Sequence, residues 1–189
     1  MGLFDKLNSA APLSDPPQQT QTVGVRTEIF SFSALPESLT EMQALPEADL
    51  SDPFRTAALT VCALCAYAAD KVIGTDMLNW LRGPRPLSGQ DLSFLNDRFR
   101  GGKIYVPFSY FAGAVPENNY TPSQPFTIKV CSDHNSGAEQ GYMKLFIPSG
   151  GADTPRPIKL RMKGDGKWCL WEQYLLPDIR QPKSADLWV

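Results

Sequence analysis

One stretch of the chain, residues 156–174, begins with apolar and basic positions that alternate strictly over 158–163. Ile158, Leu160 and Met162 are separated by basic residues, and a Gly-Asp-Gly turn then leads into a run rich in aromatic residues. Period-two alternation predicts half-buried strands, and glycine and aspartate accept the positive φ of a tight reversal. The pattern therefore predicts an antiparallel β-hairpin, which needs other elements on its apolar face to be stable in water.

Two tryptophans lie on the second strand of this hairpin. Trp168 and Trp171 are three positions apart, so a regular strand places their side chains on opposite faces. We expect the tryptophan that faces the helices to pack near Val61 and Leu64, and the other to be at least partly exposed.

Helical spacing of apolar residues predicts the main core helix over residues 53–72. Asp52 is suited to cap this helix and Pro53 to occupy its first turn. Gly74 is expected to end it, and Thr75 to cap a short second helix.

A third helix is predicted after residue 88. Ser88 and Asp91 have the spacing of a capping box, in which each side chain binds the backbone of the other residue. The glycine pair 101–102 is expected to stop this helix.

Extended segments dominate the rest of the chain. Alternation or β-branched and aromatic content predicts strands or extended segments at 23–32, 103–108, 126–131 and 142–147, in addition to the hairpin. Helices followed by strands in this order predict an α+β fold, with N-terminal helices packed on a C-terminal, mostly antiparallel sheet of about four to six strands.

The N-terminal residues differ from the rest in composition. Leu3, Phe4 and Leu7 share one face of a short amphipathic piece, and residues 8–22 are polar and contain several prolines. Such a composition is typical of linkers. We expect a flexible arm over 1–22 and a single α+β domain over 23–189.

Charge and hydropathy narrow the class of protein. The net charge of −2 argues against general nucleic-acid binding, which needs a positive excess. No apolar run approaches the ~18 residues of a membrane span, and no signal-peptide pattern is present. We therefore expect a cytoplasmic protein without a transmembrane segment.

The cysteines favour a structural role. Cys62 and Cys65 form a C-x-x-C pattern inside the alanine-rich core helix, whereas a redox pair is expected at an exposed helix start. A zinc site would need two more ligands, for which Cys131 and His134 are the available cluster. We expect core thiols with no metal and no cofactor; zinc and redox chemistry are the alternatives.

No catalytic residue can be identified from motifs. The chain lacks the G-x-S-x-G, Walker A, G-x-G-x-x-G and H-E-x-x-H patterns, and the single histidine, His134, lies in a polar loop. We therefore expect a non-catalytic protein-interaction or structural module with a protein partner. The alternative is a small-ligand-binding or enzymatic domain with a pocket between the helices and a curved sheet.

Two features suggest where a partner binds. The outward positions of the predicted sheet are basic, which favours either a solvated face or a docking surface for an acidic partner. Loops 117–121 and 152–156 combine amides, an aromatic residue and an arginine, although the same residues are also used to build turns, with Arg156 paired to Asp153. The outward basic positions are Lys129, Lys144, Lys159, Arg161 and Lys163, and the candidate partner-binding residues are Asn118, Asn119, Tyr120, Asp153, Arg156 and Arg161.

Residues 110–122 (YFAGAVPENNYTP) and 150–182 carry a resemblance to other proteins. They resemble an uncharacterised bacterial domain family of unknown function, of Gram-positive type, and the ending 185–189 is similar to an Asp-Pro-Trp ending in such proteins. The order of helices and strands is also similar to the nuclear-transport-factor-2-like cone, in which a curved sheet and helices enclose a pocket. The resemblance implies a lineage and a fold but no activity.

Overall fold

The computed structural model describes residues 24–186. The amphipathic piece and arm predicted for residues 1–22, and residues 187–189, lie outside the described residues. The strands are β1 (Thr27–Phe32), β2 (Phe126–Cys131), β3 (Tyr142–Ile147), β4 (Arg156–Met162) and β5 (Trp168–Gln173). The α-helices are α1 (Leu39–Gln43), α2 (Pro53–Ala69), α3 (Lys71–Arg82) and α4 (Gly89–Arg98).

The five strands form one antiparallel sheet in the order β1-β2-β3-β4-β5. Strands β3, β4 and β5 follow each other as a meander, whereas β1 pairs with β2 across the whole helical region. A single residue pair, Cys131 and Phe146, connects β2 to β3. The predicted α+β class, with helices preceding a mostly antiparallel sheet, is confirmed.

Helix α2 lies at the centre of the hydrophobic core. The Asp52 side chain accepts a hydrogen bond from the Phe54 N–H at 2.9 Å, so this helix begins as predicted. Its residues are buried on almost every side, because it packs against the sheet on one side and α3 on the other. Cys62 and Cys65 are both buried here as free thiols, in agreement with the expected core role.

The boundary between α2 and α3 differs from the prediction. Helix α2 ends at Ala69, and Asp70 caps α3 by accepting hydrogen bonds from the Val72 and Ile73 N–H groups. Gly74 therefore lies inside α3, and its expected role as a helix stop is wrong. A Cβ on Gly74 would lie 2.2 Å from the Tyr67 Cα, so the glycine is needed for helix contact.

Thr75 likewise lies inside α3, so its predicted capping role is wrong. The predicted capping box at Ser88 and Asp91 is present and starts α4. Gly101 and Gly102 have φ values of 70° and 78° and form the turn after that helix, as expected of glycines that stop a helix.

The extended segment predicted at 103–108 is helical instead. Two 3-10 helices, Arg100–Tyr105 and Pro107–Tyr110, occupy this region. Val106 is buried and Ile104 is exposed, so these two residues do not share a face as residues two positions apart in a strand would. Pro107 begins the second of these helices, where its missing N–H costs nothing.

The predicted β4–β5 hairpin is present, and its tryptophans lie on different sides of the sheet. Trp168 packs against the core. Its backbone N–H donates to the Leu50 carbonyl and its backbone carbonyl accepts from the Thr56 hydroxyl, both at 2.8 Å. These bonds attach it to the first turn of α2. Trp171 lies on the other face, and both side chains are partly exposed.

Two further properties bear on function. Within residues 24–186, no helix is both long enough and apolar enough to cross a lipid bilayer. In the same part of the chain, no three His, Cys, Asp or Glu side chains converge as ligands for a metal ion.

Candidate functional site

The sheet has one face against the helices and one face toward solvent. The side facing the helices carries the buried residues of β2 to β4, including Ile128, Leu145 and Leu160. We call the opposite side of β3, β4 and β5 the outer face. Its side chains are Tyr142, Lys144, Phe146, Lys159, Arg161, Trp171 and Glu172.

A β-bulge at Trp171 places Trp171 and the next residue, Glu172, on the outer face together. Leu160 pairs with Leu170 and Lys159 pairs with Glu172, so Trp171 is the extra residue on β5. A bulge of this kind redirects one side chain relative to the regular pleat. The Trp171 ring consequently lies edge-on to the Tyr142 ring, with 5.5 Å between their centroids and 78° between their planes.

Cations and aromatic rings alternate across the outer face. The Arg161 guanidinium carbon is 4.8 Å from the centroid of the Trp171 ring and 5.3 Å from that of Tyr142. Lys159 Nζ lies 4.4 Å from the Tyr142 centroid, and Arg85, from the loop after α3, lies 4.3 Å from the Trp171 centroid. We call these five residues the cation–aromatic ladder. Each contact holds a positive charge over the electron-rich face of a ring.

The outer face has more positive than negative charge. Lys159 binds Glu139 at 2.6 Å, and this hydrogen bond raises the pKa of Lys159. By contrast, Lys144, Arg161 and Arg85 form no ion pair with any carboxylate in residues 24–186. The neighbouring Lys129, on β2, is likewise exposed and without such a pair. Several cations are thus free to meet an acidic ligand.

A hollow adjoins the ladder on the same side of the sheet. It has a volume of about 460 Å³, and the loop before β3 forms one of its walls. Its lining includes Ser136, Glu139, Tyr142, Lys144, Lys159 and Tyr174. The outer face therefore offers a recess as well as a charged surface.

A smaller cavity, the edge pocket, lies between α3, α4 and β5. It has a volume of about 180 Å³ and is lined among others by Arg82, Arg85, Asp91, Phe94, Leu170 and Trp171. The Arg82 side chain is only 7% exposed. Its Nε donates to the Arg85 carbonyl at 2.9 Å, and its Nη2 lies 3.5 Å from Asp91 Oδ2. Burial lowers the pKa of Arg82 because it disfavours the charged form, and the positive charge of Arg85 acts in the same direction, whereas Asp91 and Glu172 oppose the shift.

Residues 34–183 match the family described as Domain of unknown function (DUF6935). The chain belongs to this family. The DUF6935 match includes every residue of the cation–aromatic ladder and the edge pocket, and it excludes β1, which precedes residue 34. Neither a curated protein nor a solved structure matches the chain.

Of the six predicted site residues, only Arg161 belongs to the outer face. Asn118 is the last residue of the 3-10 helix Pro116–Asn118, and Asn119 follows it directly. The Asn118 side chain accepts from the Val115 N–H at 3.0 Å and donates to the Gly113 carbonyl at 2.7 Å. Asn119 accepts from the Ser184 hydroxyl at 2.6 Å.

The other three predicted residues contact the segment 178–184 that follows β5. The Tyr120 hydroxyl donates to the Arg180 carbonyl at 2.6 Å, and Arg156 Nη2 donates to the Asp178 carbonyl at 2.7 Å. Asp153 pairs with Arg180 at 2.6 Å, so the alternative pairing of Asp153 with Arg156 is not formed. The two loops thus meet at one end of the domain through this segment, and their use by a partner stays a prediction.

The buried position of Tyr120 affects what its side chain can do. Its side chain is 2% exposed and stacks on Tyr105 with 5.2 Å between ring centroids. Burial raises the pKa of Tyr120 to about 12. The ring is therefore part of the internal packing, and the phenol stays protonated over the physiological pH range.

Sequence reasoning missed Arg82 and Arg85, and it placed Trp168 and Trp171 on opposite faces without deciding which of the two lies outward. Arg82 is a charged residue on the apolar side of α3, which is an unusual position and the one signal that was available. Arg85 lies in a Pro-rich loop with no periodicity, and the bulge at Trp171 depends on pairing with β4. Neither of these last two features leaves a local pattern in the sequence.

Proposed function

We propose that this chain is a non-catalytic protein-interaction module, and that its outer face binds an acidic segment of a partner protein. The observation that carries this proposal is the cation–aromatic ladder, which is open to solvent and contains unpaired cations. Trp, Tyr and Arg are the residues that contribute most often to protein–protein binding energy. Here all three types lie next to each other.

Charge favours an acidic partner over a neutral one. Lys144 and Arg161 on the outer face, with Lys129 beside it, are exposed and have no carboxylate partner in the described part of the chain. Complementary charge speeds association and selects against partners of the wrong sign. The recess beside Tyr142 and Tyr174 has room for an apolar side chain flanked by acidic ones.

A binding role also fits the state of the candidate nucleophiles. Cys62 and Cys65 are buried, and burial raises the pKa of both thiols. A cysteine must be a thiolate, and must be reachable, to attack a substrate. These two thiols meet neither condition, which supports a module that binds without catalysis.

The proposal can be tested by selecting ligands from a random peptide library displayed on phage. We expect the selected peptides to be enriched in aspartate and glutamate, and their affinity to fall as salt is added. Arg161→Glu should weaken the best peptide by about tenfold or more, since like charges then face each other. Arg100→Glu is the matched control: Arg100 is also exposed and basic but lies outside the sheet, and the change should leave binding intact.

Two results would overturn the proposal. One is a set of selected peptides without acidic enrichment, or with affinity indifferent to Arg161→Glu. The other is tighter binding of single-stranded oligonucleotides than of any peptide, because exposed aromatic residues beside cations also stack on bases. The net charge of −2 favours the protein ligand.

Arg161 is the predicted site residue to which the proposal assigns direct contact with the partner. For the other five predicted residues, support is confined to geometry: they gather at one end of the domain around residues 178–184. Asn119 and Asp153 remain exposed there. Alanine variants of these two, measured against the selected peptide, would show whether the partner reaches this end.

A further inference from the structure

We propose that the edge pocket binds a small monocarboxylate with an aromatic or branched apolar body. This proposal is independent of the outer face, because the two sites use different cations apart from Arg85 at their common border. It rests on three observations: a buried and poorly compensated arginine, a second arginine beside it, and an apolar wall of matching size.

Arg82 has hydrogen-bonding capacity that the protein leaves unused. Its side chain is 93% removed from solvent, since 7% is exposed, and it lines the edge pocket. Nε has an acceptor in the Arg85 carbonyl. Nη1 has no acceptor among the described residues, and Nη2 has only a distant carboxylate at 3.5 Å. A guanidinium offers five N–H donors, so an acceptor that enters the pocket can bind those that the protein leaves free.

The carboxylates near Arg82 are already engaged by other groups. Asp91 Oδ2 accepts from the Ser88 N–H at 2.8 Å and from the Ser88 hydroxyl at 2.7 Å, because it forms the capping box of α4. Glu172 accepts from the Tyr174 hydroxyl at 2.9 Å and pairs across the sheet with Lys159. Neither carboxylate is placed to neutralise Arg82 fully.

Arg85 adds a second cation at the same cavity. It lies over the Trp171 ring at 4.3 Å and forms no ion pair with a carboxylate of residues 24–186. Arginine presents a planar pair of donors that matches the two oxygens of a carboxylate. A ligand carboxylate between Arg82 and Arg85 would supply the acceptors that the protein lacks.

The remaining wall of the pocket selects the body of the ligand. Its apolar part is formed by leucines from α2, α3, α4 and β5 and by the Phe94 and Trp171 rings, while Asp91, Glu172 and Gln173 line its polar part. Its volume is about 180 Å³, and an apolar cavity of about 150 Å³ is known to take up benzene. A single charged group with a body the size of a benzene ring therefore fits. A highly charged or strongly polar ligand would leave its polar atoms against the apolar wall.

Benzoate is a suitable probe, with benzamide and inorganic phosphate as comparisons. Isothermal titration calorimetry of the full chain should show one benzoate site. Benzamide has the same shape without the charge and should bind at least about tenfold more weakly, since a charge-assisted hydrogen bond contributes that factor or more. Equal affinity for benzoate and benzamide, no benzoate binding, or a preference for phosphate would each overturn the proposal.

Variants locate the binding at the two arginines. Arg85→Gln, in an exposed loop, should lower benzoate affinity about tenfold, and Arg82→Met should abolish binding while the protein still melts cooperatively. If Arg82→Met does not fold, Arg85→Gln decides: unchanged affinity would refute the site. Lys144→Glu is the matched control, because it reverses a charge of the outer face at a residue that lines the hollow on that face and not the edge pocket. Benzoate binding should survive in that variant, so the two proposals fail separately.

Discussion

Tyr120 illustrates how a polar side chain in a loop can serve the interior of the protein. Its ring is buried against Tyr105, and its hydroxyl reaches the carbonyl of Arg180, sixty positions further along the chain. The contact joins the loop before β2 to the segment after β5. A single hydroxyl therefore helps to fix the position of the last described residues.

We expect Tyr120→Phe to lower the free energy of unfolding by about 1 kcal/mol, because the partly buried hydrogen bond to the Arg180 carbonyl is lost. Urea denaturation followed by tryptophan fluorescence measures the change. Tyr174→Phe is the matched control: that hydroxyl binds Glu172 at the surface, and its loss should cost less than about 0.5 kcal/mol. Equal losses in the two variants would show that the Arg180 contact contributes nothing.

At the scale of single residues, the sequence indicated which side chains make polar contacts but not where the partners of those contacts lie. Asn118, Tyr120 and Arg156 are engaged in specific polar contacts, but their partners lie within the chain. Choosing between an internal and an external partner needs the path of residues 178–184. No periodicity in the sequence specifies that path, because it depends on loop geometry rather than on an element.

Helices α2 and α3 approach each other so closely at one point that no side chain fits between them. Gly74 makes this contact possible. The Tyr67 backbone lies so close to Gly74 that a Cβ at position 74 would overlap with it. Asp70 provides the sharp turn between the helices by leaving the helical conformation and capping α3. This packing places Arg82, at the end of α3, beside the edge pocket.

We expect Gly74→Ala to destabilise the protein by about 3 kcal/mol, because the two helices must move apart. Gly89→Ala is the matched control, since a Cβ there meets nothing within 4 Å and Gly89 begins α4. That change should be neutral or stabilising by up to about 1 kcal/mol, as alanine favours helix. Thermal unfolding monitored by circular dichroism distinguishes the two. A Gly74→Ala protein that melts like the wild type would contradict this account of the helix contact.

Elements with a strong local signal were predicted well. The β4–β5 hairpin, the Asp52 cap and the Ser88 capping box all follow from residues close together in sequence. The 3-10 helices at 100–110 were mistaken for an extended segment, since three alternating apolar residues are too few to distinguish a strand from short helical turns. The break at Asp70 was missed because Gly74 gave a stronger stop signal than an aspartate does.

The stability of the whole molecule depends on pH through two buried thiols, because their protonation is coupled to folding. Cys62 and Cys65 lie in the core, and burial raises the pKa of both above its usual range. The folded pKa therefore exceeds the unfolded one, near 8.5 for cysteine. The contribution of the two protonated thiols to the free energy of unfolding is therefore complete below about pH 8.5. It is lost as the pH rises further, because only the unfolded chain then releases these protons.

We expect the free energy of unfolding to fall by about 2 kcal/mol per buried thiol between about pH 8.5 and pH 10. The double variant Cys62→Ala/Cys65→Ala should start lower, owing to lost packing, but vary less with pH over this range. Cys131→Ala is the control, because Cys131 is only half-buried, and it should keep the wild-type slope. Urea titrations at several pH values test this, and a wild-type curve as flat as that of the double variant would contradict it.

For the whole molecule, the order of elements was enough to predict the α+β class. It was not enough to predict the edge pocket or the cation–aromatic ladder. Both combine residues from separate elements: Arg85 follows α3, Tyr142 begins β3 and Trp171 is displaced by a bulge in β5. Such sites depend on pairing register and on loop paths, which arise only when the chain is packed.

The pairing of β1 with β2 has a consequence for biosynthesis. Ser31 and Thr127 face each other in the sheet but are 96 positions apart. During translation β1 therefore leaves the ribosome well before its partner exists, and its backbone N–H and C=O groups stay open to other strands. Pairing across so long an interval is slow even in the finished chain. We expect nascent chains stalled between α4 and β2 to be recognised by chaperones at this first strand, and released once β2 has emerged.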